Sequence, residues 1–199
     1  ALGMEVLGVE GAKHASEIAM EGEIPVIDGF FGKGTAVKIR EQLPAGSEIR
    51  LIIAMNVLAH TDNINEFLPE VGDLMGSGTD FVSQSHWLAA MVRNFEFDTI
   101  YHEHLRYYTL KSLINLFDRH GLIVHDAETT DFYGGSVIAY ASKIPKGQSD
   151  NMRSILVDED SLDILGSLRN MKKVLLDNRA QLLNLLVDLS NSGKRVAGI

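Results

Sequence analysis

Short apolar runs alternate with amphipathic stretches along most of this chain, and the alternation predicts an architecture. Residues 4–9 form a partly β-branched apolar run that closes on Glu10 and Gly11. They lead into 12–21, where Ala15, Ile18 and Ala19 share one helical face. The reading is strand, acidic tip, helix. Residues 24–27 make a second strand, followed by Asp28, Gly29, Phe30 and Phe31 and by a helix over 35–43 with Ala36, Ile39 and Leu43 inward. Residues 49–55 are the strongest strand, a nearly unbroken apolar run of the sort found where both faces of a sheet are covered, which places it centrally. Asp62 can cap a helix on which Ile64, Phe67, Leu68, Val71 and Met75 repeat at helical spacing. Residues 81–84 make a fourth, weaker strand.

Residues 87–108 are dense in aromatics, include His102 and His104, and follow no clean period. Such density in a connection points to a site, because connections tolerate chemistry that a packed element does not. Thr109 then caps a helix with Leu110, Leu113, Ile114 and Phe117 on one face, and Gly121 ends it. Residues 122–124 and 137–141 read as two more strands joined through Tyr133, Gly134 and Gly135, a closing antiparallel pair. After Pro145 the character changes. Residues 148–160 are polar and read as a linker. From 161 to 189, Ile164, Leu168, Met171, Leu175, Leu182, Leu185 and Leu189 fall three and four apart, with Asn178 in the remaining slot. That predicts one long helix, weakly interrupted at Gly166, which packs on the sheet domain or bridges to another. A homodimeric coiled coil is the alternative, disfavoured by fewer than four clean heptads. Residues 196–199 start a further strand.

Alternating strands and helices give a doubly wound α/β sheet, and the final hairpin turns one edge antiparallel. In nucleotide-binding sheets of this kind a glycine-rich turn follows the first strand, and an acidic residue about 20 positions later takes the ribose hydroxyls. Glu10 suits the acidic role, but only nine residues precede it. The glycine loop and its strand are therefore expected upstream of Ala1, leaving a gap between the strand ending at Glu10 and the one ending at Met55. The glycines from Gly29 to Gly34 have the wrong spacing and follow the acidic tip.

Composition narrows the function classes. The chain has 199 residues, 45% hydrophobic and 23% charged, enough for one full domain and a fragment of another. The division expected is a core over 1–144, and a linker, a long helix and the start of another α/β domain over 145–199. No stretch approaches the length of a membrane span. A formal charge of −9 with scattered Lys and Arg argues against nucleic acid. The absence of cysteine excludes disulfides, thiolate zinc and a cysteine nucleophile within these residues. Residues 1–10 lack the basic start of a signal peptide, so a cytoplasmic location is the expectation.

The run Glu96-Phe97-Asp98-Thr99-Ile100-Tyr101-His102-Glu103-His104-Leu105, followed by Tyr107 and Tyr108, resembles the signature of the S-adenosylmethionine-dependent nucleotide-sugar C-methyltransferases. Asn56-Val57-Leu58-Ala59-His60 is similar to that family's second signature, Asp28 to Gly32 to its aromatic cofactor turn, and Gly134-Gly135-Ser136 to its glycine pair before the last strand. The resemblance implies a class I methyltransferase fold. Members have an amino-terminal zinc domain, the methyltransferase domain and a second α/β domain. Measured against them this sequence is expected to be truncated at both ends and inactive alone, with zinc only in the upstream domain. The activity implied is methyl transfer from S-adenosylmethionine to C3 of a nucleotide-linked 4-keto-deoxy sugar by a monomer or homodimer.

Methylating a carbon beside a ketone requires removing its proton and stabilising the enolate oxygen. A histidine is a suitable base near neutral pH. By resemblance His104 matches the base, His60 the histidine after the central strand, and Tyr101 and Glu103 the polar partners. Glu103 is expected to orient an imidazole, and Tyr101 or His60 to bond the keto oxygen. The cofactor side is expected to use Glu10, Gly11, Phe30, Phe31 and Asn56, and the substrate side Tyr107, Tyr108, Gly134, Gly135 and Ser136. Phe30 and Phe31 can be core, Tyr107 and Tyr108 core or pocket wall, and Asn56 a strand end. His102, Glu103 and His104 lack the spacing of a helical metal motif. His14, His86, His120 and His125 match nothing. Rival functions are methylation of oxygen or nitrogen in another small molecule, and non-catalytic nucleotide-sugar binding.

Overall fold

A computed structural model describes residues 4–197. In chain order the elements are β1 (Gly8–Glu10), α1 (Lys13–Glu21), β2 (Val26–Asp28), α2 (Thr35–Gln42), β3 (Leu51–Met55), α3 (Ile64–Leu74), β4 (Asp80–His86), α4 (Leu88–Asn94), α5 (Leu110–Asp118), β5 (Ile123–Thr130), β6 (Ser136–Ser142), α6 (Asp150–Asp160) and α7 (Ile164–Asn191). β1 and β2 form a parallel pair, and a separate sheet runs β3-β4-β6-β5. β3 and β4 are parallel, and β6 lies antiparallel between β4 and β5, so the closing hairpin is present. Among the described residues β1 and β3 are not paired, which is the gap expected between the strands ending at Glu10 and Met55.

That gap changes the reading of β3. An apolar run with both faces covered was expected, yet Leu51, Ile53 and Met55 are 50%, 59% and 46% exposed, while Ile52 and Ala54 turn toward the core. Strand side chains alternate faces, and among the described residues the face carrying Leu51, Ile53 and Met55 is about half open to solvent beside the unpaired edge. The two sheets are nevertheless tied together. Glu70 of α3 accepts bonds from the amides of Gly34 and Ala36 at 2.7 Å each, capping α2 from across the gap. Ile27, Ala36, Ile39 and Leu74 then pack as one small cluster.

The main core lies between the four-stranded sheet and helices α3, α5 and α6, around Phe81, Phe117, Leu68, Leu110, Leu113 and Met152. Thr109 caps α5 through a capping box with Ser112, as its position predicts. Asp62 does not cap α3: Asn63 occupies that position without a side-chain bond, and Asp62 lends only its backbone carbonyl, to Arg106. The face of α1 carrying Ala15 and Ile18 is exposed and Ser16 is the buried residue, because α1 rests on only two strands.

Residues 150–160 are helical instead of a linker. Ser149 caps α6, and Met152, Ile155 and Glu159 recur at helical spacing on its buried face. Glu159 accepts bonds from Trp87 Nε1, the Leu110 amide and the Lys111 amide, so a buried carboxylate closes the N-terminus of α5. α7 runs unbroken for 28 residues, its start capped by Asp163 on Gly166. Met171 docks on Met91 and Val92 of α4, and Leu182 and Leu185 farther along are exposed. Val196 and Ala197 are not in a strand, and the rest of the strand expected over 196–199 lies outside the described residues.

Candidate active site

Sheets of this kind place ligands beyond the carboxyl ends of their strands, and here the polar residues of interest gather at the ends of β3 and β4. Asn56 follows β3 with a left-handed φ of 55°, its amide still bonded to the Gln84 carbonyl at 3.0 Å. His86 is the last residue of β4. α4 follows at once and ends at Phe95, also left-handed at φ 56°. The chain then turns through Phe97–Thr99 and folds back over the β3–α3 connection. The Leu105 amide bonds the Ala59 carbonyl at 2.9 Å, and the Arg106 guanidinium holds the carbonyls of Thr61 and Asp62. A bridge between Trp87 and Tyr108 closes the excursion.

This lacing brings distant residues together. The His104 ring lies 4.9 Å from that of His60 and 4.3 Å from that of Tyr101, centroid to centroid. Both imidazoles have a defined tautomer when neutral. His104 Nδ1 lies 2.8 Å from the Thr99 carbonyl, which can only accept, so Nδ1 carries the proton and Nε2 the lone pair. The Tyr101 hydroxyl is 3.3 Å from that Nε2. His60 Nδ1 lies 3.0 Å from the Glu103 carbonyl, so its Nε2 likewise has no proton in the neutral ring. Glu103 thus orients an imidazole through its backbone, and the imidazole is His60. Its carboxylate is exposed and 3.9 Å from His102 Nε2. His60 donates to a keto oxygen from Nε2 only when protonated, which leaves Tyr101 as the neutral donor of the pair.

The other expected residues divide. Glu10 ends β1, and one carboxylate oxygen accepts from the Ala12 amide at 2.7 Å. The Phe30 ring is 89% exposed and lies across Gly11, where a β-carbon would come within 2.6 Å of it. Phe31 instead packs on Phe67 at 4.8 Å in the core. Asn56 and Gly134 line a cleft of about 510 Å³ together with Tyr101 and His104. Tyr107 stands edge-on to His104, its hydroxyl bonded to the Thr99 carbonyl, and burial pushes that hydroxyl's pKa up. Tyr108 is core, reaching the Leu58 carbonyl, and burial raises its pKa as well. Gly135 and Ser136 are buried outside the cleft: a β-carbon on Gly135 would meet Ala90 at 2.4 Å, and the Ser136 hydroxyl donates to the Phe132 carbonyl. Gly135 is thus a packing requirement of α4.

Five cleft residues carry no role from the sequence: His86, Glu96, Asp98, Thr99 and Tyr133. His86 Nε2 is 2.9 Å from a Glu96 carboxylate oxygen. The strand expected over 81–84 stops short of His86, and that histidine matches no motif; Glu96 opens the run that ends at Leu105, which is the sequence signal for this part of the cleft. Among the described residues no group of three or more potential ligands could hold a metal ion.

A family model described as a methyltransferase domain matches residues 1–127. The C-methyltransferase NovU of Streptomyces niveus is 30% identical over a 203-residue alignment that takes in 98% of this chain. The chain spans about half of that relative, 47% of its length. Among solved structures, a SAM-dependent methyltransferase from Thermotoga maritima superposes with a TM-score of 0.52 at 17% identity, covering 70% of this chain and 73% of that one. The CcbJ methyltransferase of Streptomyces caelestis gives 0.51 at 14% identity, covering 71% and 75%. At those identities the likeness is one of fold, the class I methyltransferase fold.

Proposed function

The chain belongs to the S-adenosylmethionine-dependent methyltransferase domain family, and from that premise we propose that the protein it forms part of methylates a carbon, C3 by our reading, of a nucleotide-linked 4-keto-deoxy sugar in the cytoplasm. The observation that carries this reading is the tautomer of His104. Its Nε2 lone pair sits beside the Tyr101 hydroxyl in a cleft open to ligand. A base and a neutral hydrogen-bond donor side by side are what deprotonation next to a ketone requires. Methylation of a hydroxyl or amine needs the base alone. The resemblance to a C-methyltransferase points the same way.

In this mechanism His104 Nε2 takes the proton from the carbon beside the ketone, and Tyr101 donates to the oxygen on which the enolate charge develops. The enolate carbon forms the new bond to the methyl group, and the carbon–sulfur bond breaks. S-adenosylmethionine supplies that electrophilic methyl when bound. Residues at the ends of β1 and β2 fit such a molecule: one Glu10 oxygen has no partner among the described residues and can accept from a ribose hydroxyl, and the open Phe30 ring offers an apolar slab.

The test uses the full-length protein, substrate and S-adenosylhomocysteine in heavy water, where deprotonation proceeds without methyl transfer. His104→Asn should abolish both exchange of the C3 proton and methylation. Tyr101→Phe should slow both by about 100-fold to 1,000-fold, the usual loss for one oxyanion donor. Normal exchange in the His104 variant with loss in a His60→Asn variant would move the base to His60. Exchange insensitive to both would take the base role from both histidines, a wild-type protein with neither exchange nor methylation would favour nucleotide-sugar binding without catalysis, and methyl transfer to oxygen or nitrogen would overturn the carbon assignment.

A further inference from the structure

Glu96 sits in the cleft that holds His104, and its placement is over-determined. One carboxylate oxygen accepts from Asn94 Nδ2 at 2.9 Å, the other lies 2.9 Å from His86 Nε2, and Asn94 also bonds the Gly134 carbonyl at 2.9 Å. Gly134 has φ 78°, and a β-carbon there would stand 2.2 Å from the Glu96 carboxylate. The loop before β6 therefore leaves room for this group only as glycine.

His86 is 6% exposed, and its Nδ1 is buried with no hydrogen-bond partner among the described residues. A buried polar atom left unpaired is costly and uncommon. With Nε2–H given to the acceptor-only carboxylate, that ring is anchored by Glu96 alone, although it lines the cleft. The cleft's charged lining is Glu96 and Asp98, with no lysine or arginine. Such a wall repels phosphate and attracts hydrogen-bond donors. Each oxygen of Glu96 has a lone pair beyond the one already engaged.

We propose that Glu96, positioned by His86 and Asn94, accepts a hydrogen bond from a ring substituent of the substrate, a hydroxyl or an amino group, and so decides which sugars enter. This rests on the sugar-methylation reading above. Glu96 is the binding residue, and His86 acts through it.

The experiment measures methyl transfer by the full-length protein to thymidine diphosphate-linked 4-keto-6-deoxyglucose and to its 2-deoxy, 3-deoxy and 3-amino analogues. Glu96→Gln should raise KM for the preferred sugar about 10-fold to 100-fold, the loss of one hydrogen bond to a charged group. It should leave kcat within about threefold and erase the wild-type preference over the analogue lacking the contacted donor. A preference for the 3-amino sugar that Glu96→Gln removes identifies an ammonium donor; a preference for a hydroxyl sugar identifies a hydroxyl. His86→Leu should reproduce the KM effect, and His86→Gln, which can still donate to the same carboxylate oxygen, should restore it. A merely structural role would lower thermal midpoint, kcat and cofactor affinity together, and that pattern overturns the proposal. Unchanged KM and preference in Glu96→Gln overturn it as well, with the methylation reading intact. A wild-type protein that methylates none of the four sugars overturns both.

Discussion

Removing the carboxylate of Glu159 should cost the fold three hydrogen bonds at once. Its two oxygens receive the Leu110 amide and Trp87 Nε1 at 2.6 Å each and the Lys111 amide at 3.0 Å. Two of those donors are buried and cannot turn to water when the acceptor goes; the Lys111 amide is only partly buried. An orphaned buried donor costs about 1–3 kcal/mol, and the lost charge at the N-terminus of α5 about 0.3–1 kcal/mol more. Glu159→Ala should therefore destabilise by about 3–5 kcal/mol, within the range for breaking a buried charged contact. For a chain of this size that is a fall of about 10 °C in Tm. Glu159→Gln keeps one carbonyl for the two buried donors and loses the charge, so about 1–2 kcal/mol is expected. Urea unfolding followed by the emission of Trp87, the chain's single tryptophan, measures both. A loss below about 1 kcal/mol for Glu159→Ala, or a larger loss for Gln than for Ala, would refute the reasoning.

A hydrogen bond from Lys146, helped by His125, holds the Asp80 carboxyl below its ordinary pKa, so its stabilisation is present above about pH 4 and is lost as pH falls through the lowered value. The group is partly exposed, so the Tm advantage of wild type over Asp80→Asn should correspond to under about 1 kcal/mol at pH 7 and close on acidification; an advantage that persists at pH 2 refutes it. In the full-length protein Glu10→Gln should weaken S-adenosylmethionine binding about 10-fold to 100-fold by calorimetry while kcat at saturating cofactor stays within about threefold. A reduced kcat with normal affinity would move Glu10 from binding to chemistry.

What was legible in the sequence follows from how each element is buried. α3 and α5 each hide one face, so Ile64, Phe67, Leu68 and Val71, and then Leu110, Leu113 and Phe117, repeat at the helical period, and Thr109 announces its cap. α4 escaped because Ala89, Ala90, Met91 and Val92 are all buried, and a helix covered on every side has no apolar stripe to read. α6 escaped because its docking face includes a charged residue whose partners lie 72 and 49 positions away.

The sequence by itself determined the alternation of strands and helices, the antiparallel hairpin, the acidic end of β1 and the segment in which His104 and Tyr101 lie. Those features are local, set by period, turn residues and a short motif. Only the tertiary structure decided which nitrogen of each histidine is free, because that depends on the Thr99 and Glu103 carbonyls the rings happen to meet. It also decided that Phe31 and Tyr108 are core, and that His86 and Glu96 share the cleft. His86 and Glu96 lie ten residues apart, and they meet because α4 carries the chain out and Phe95 turns it back. No periodicity along the chain records a contact made by a return path.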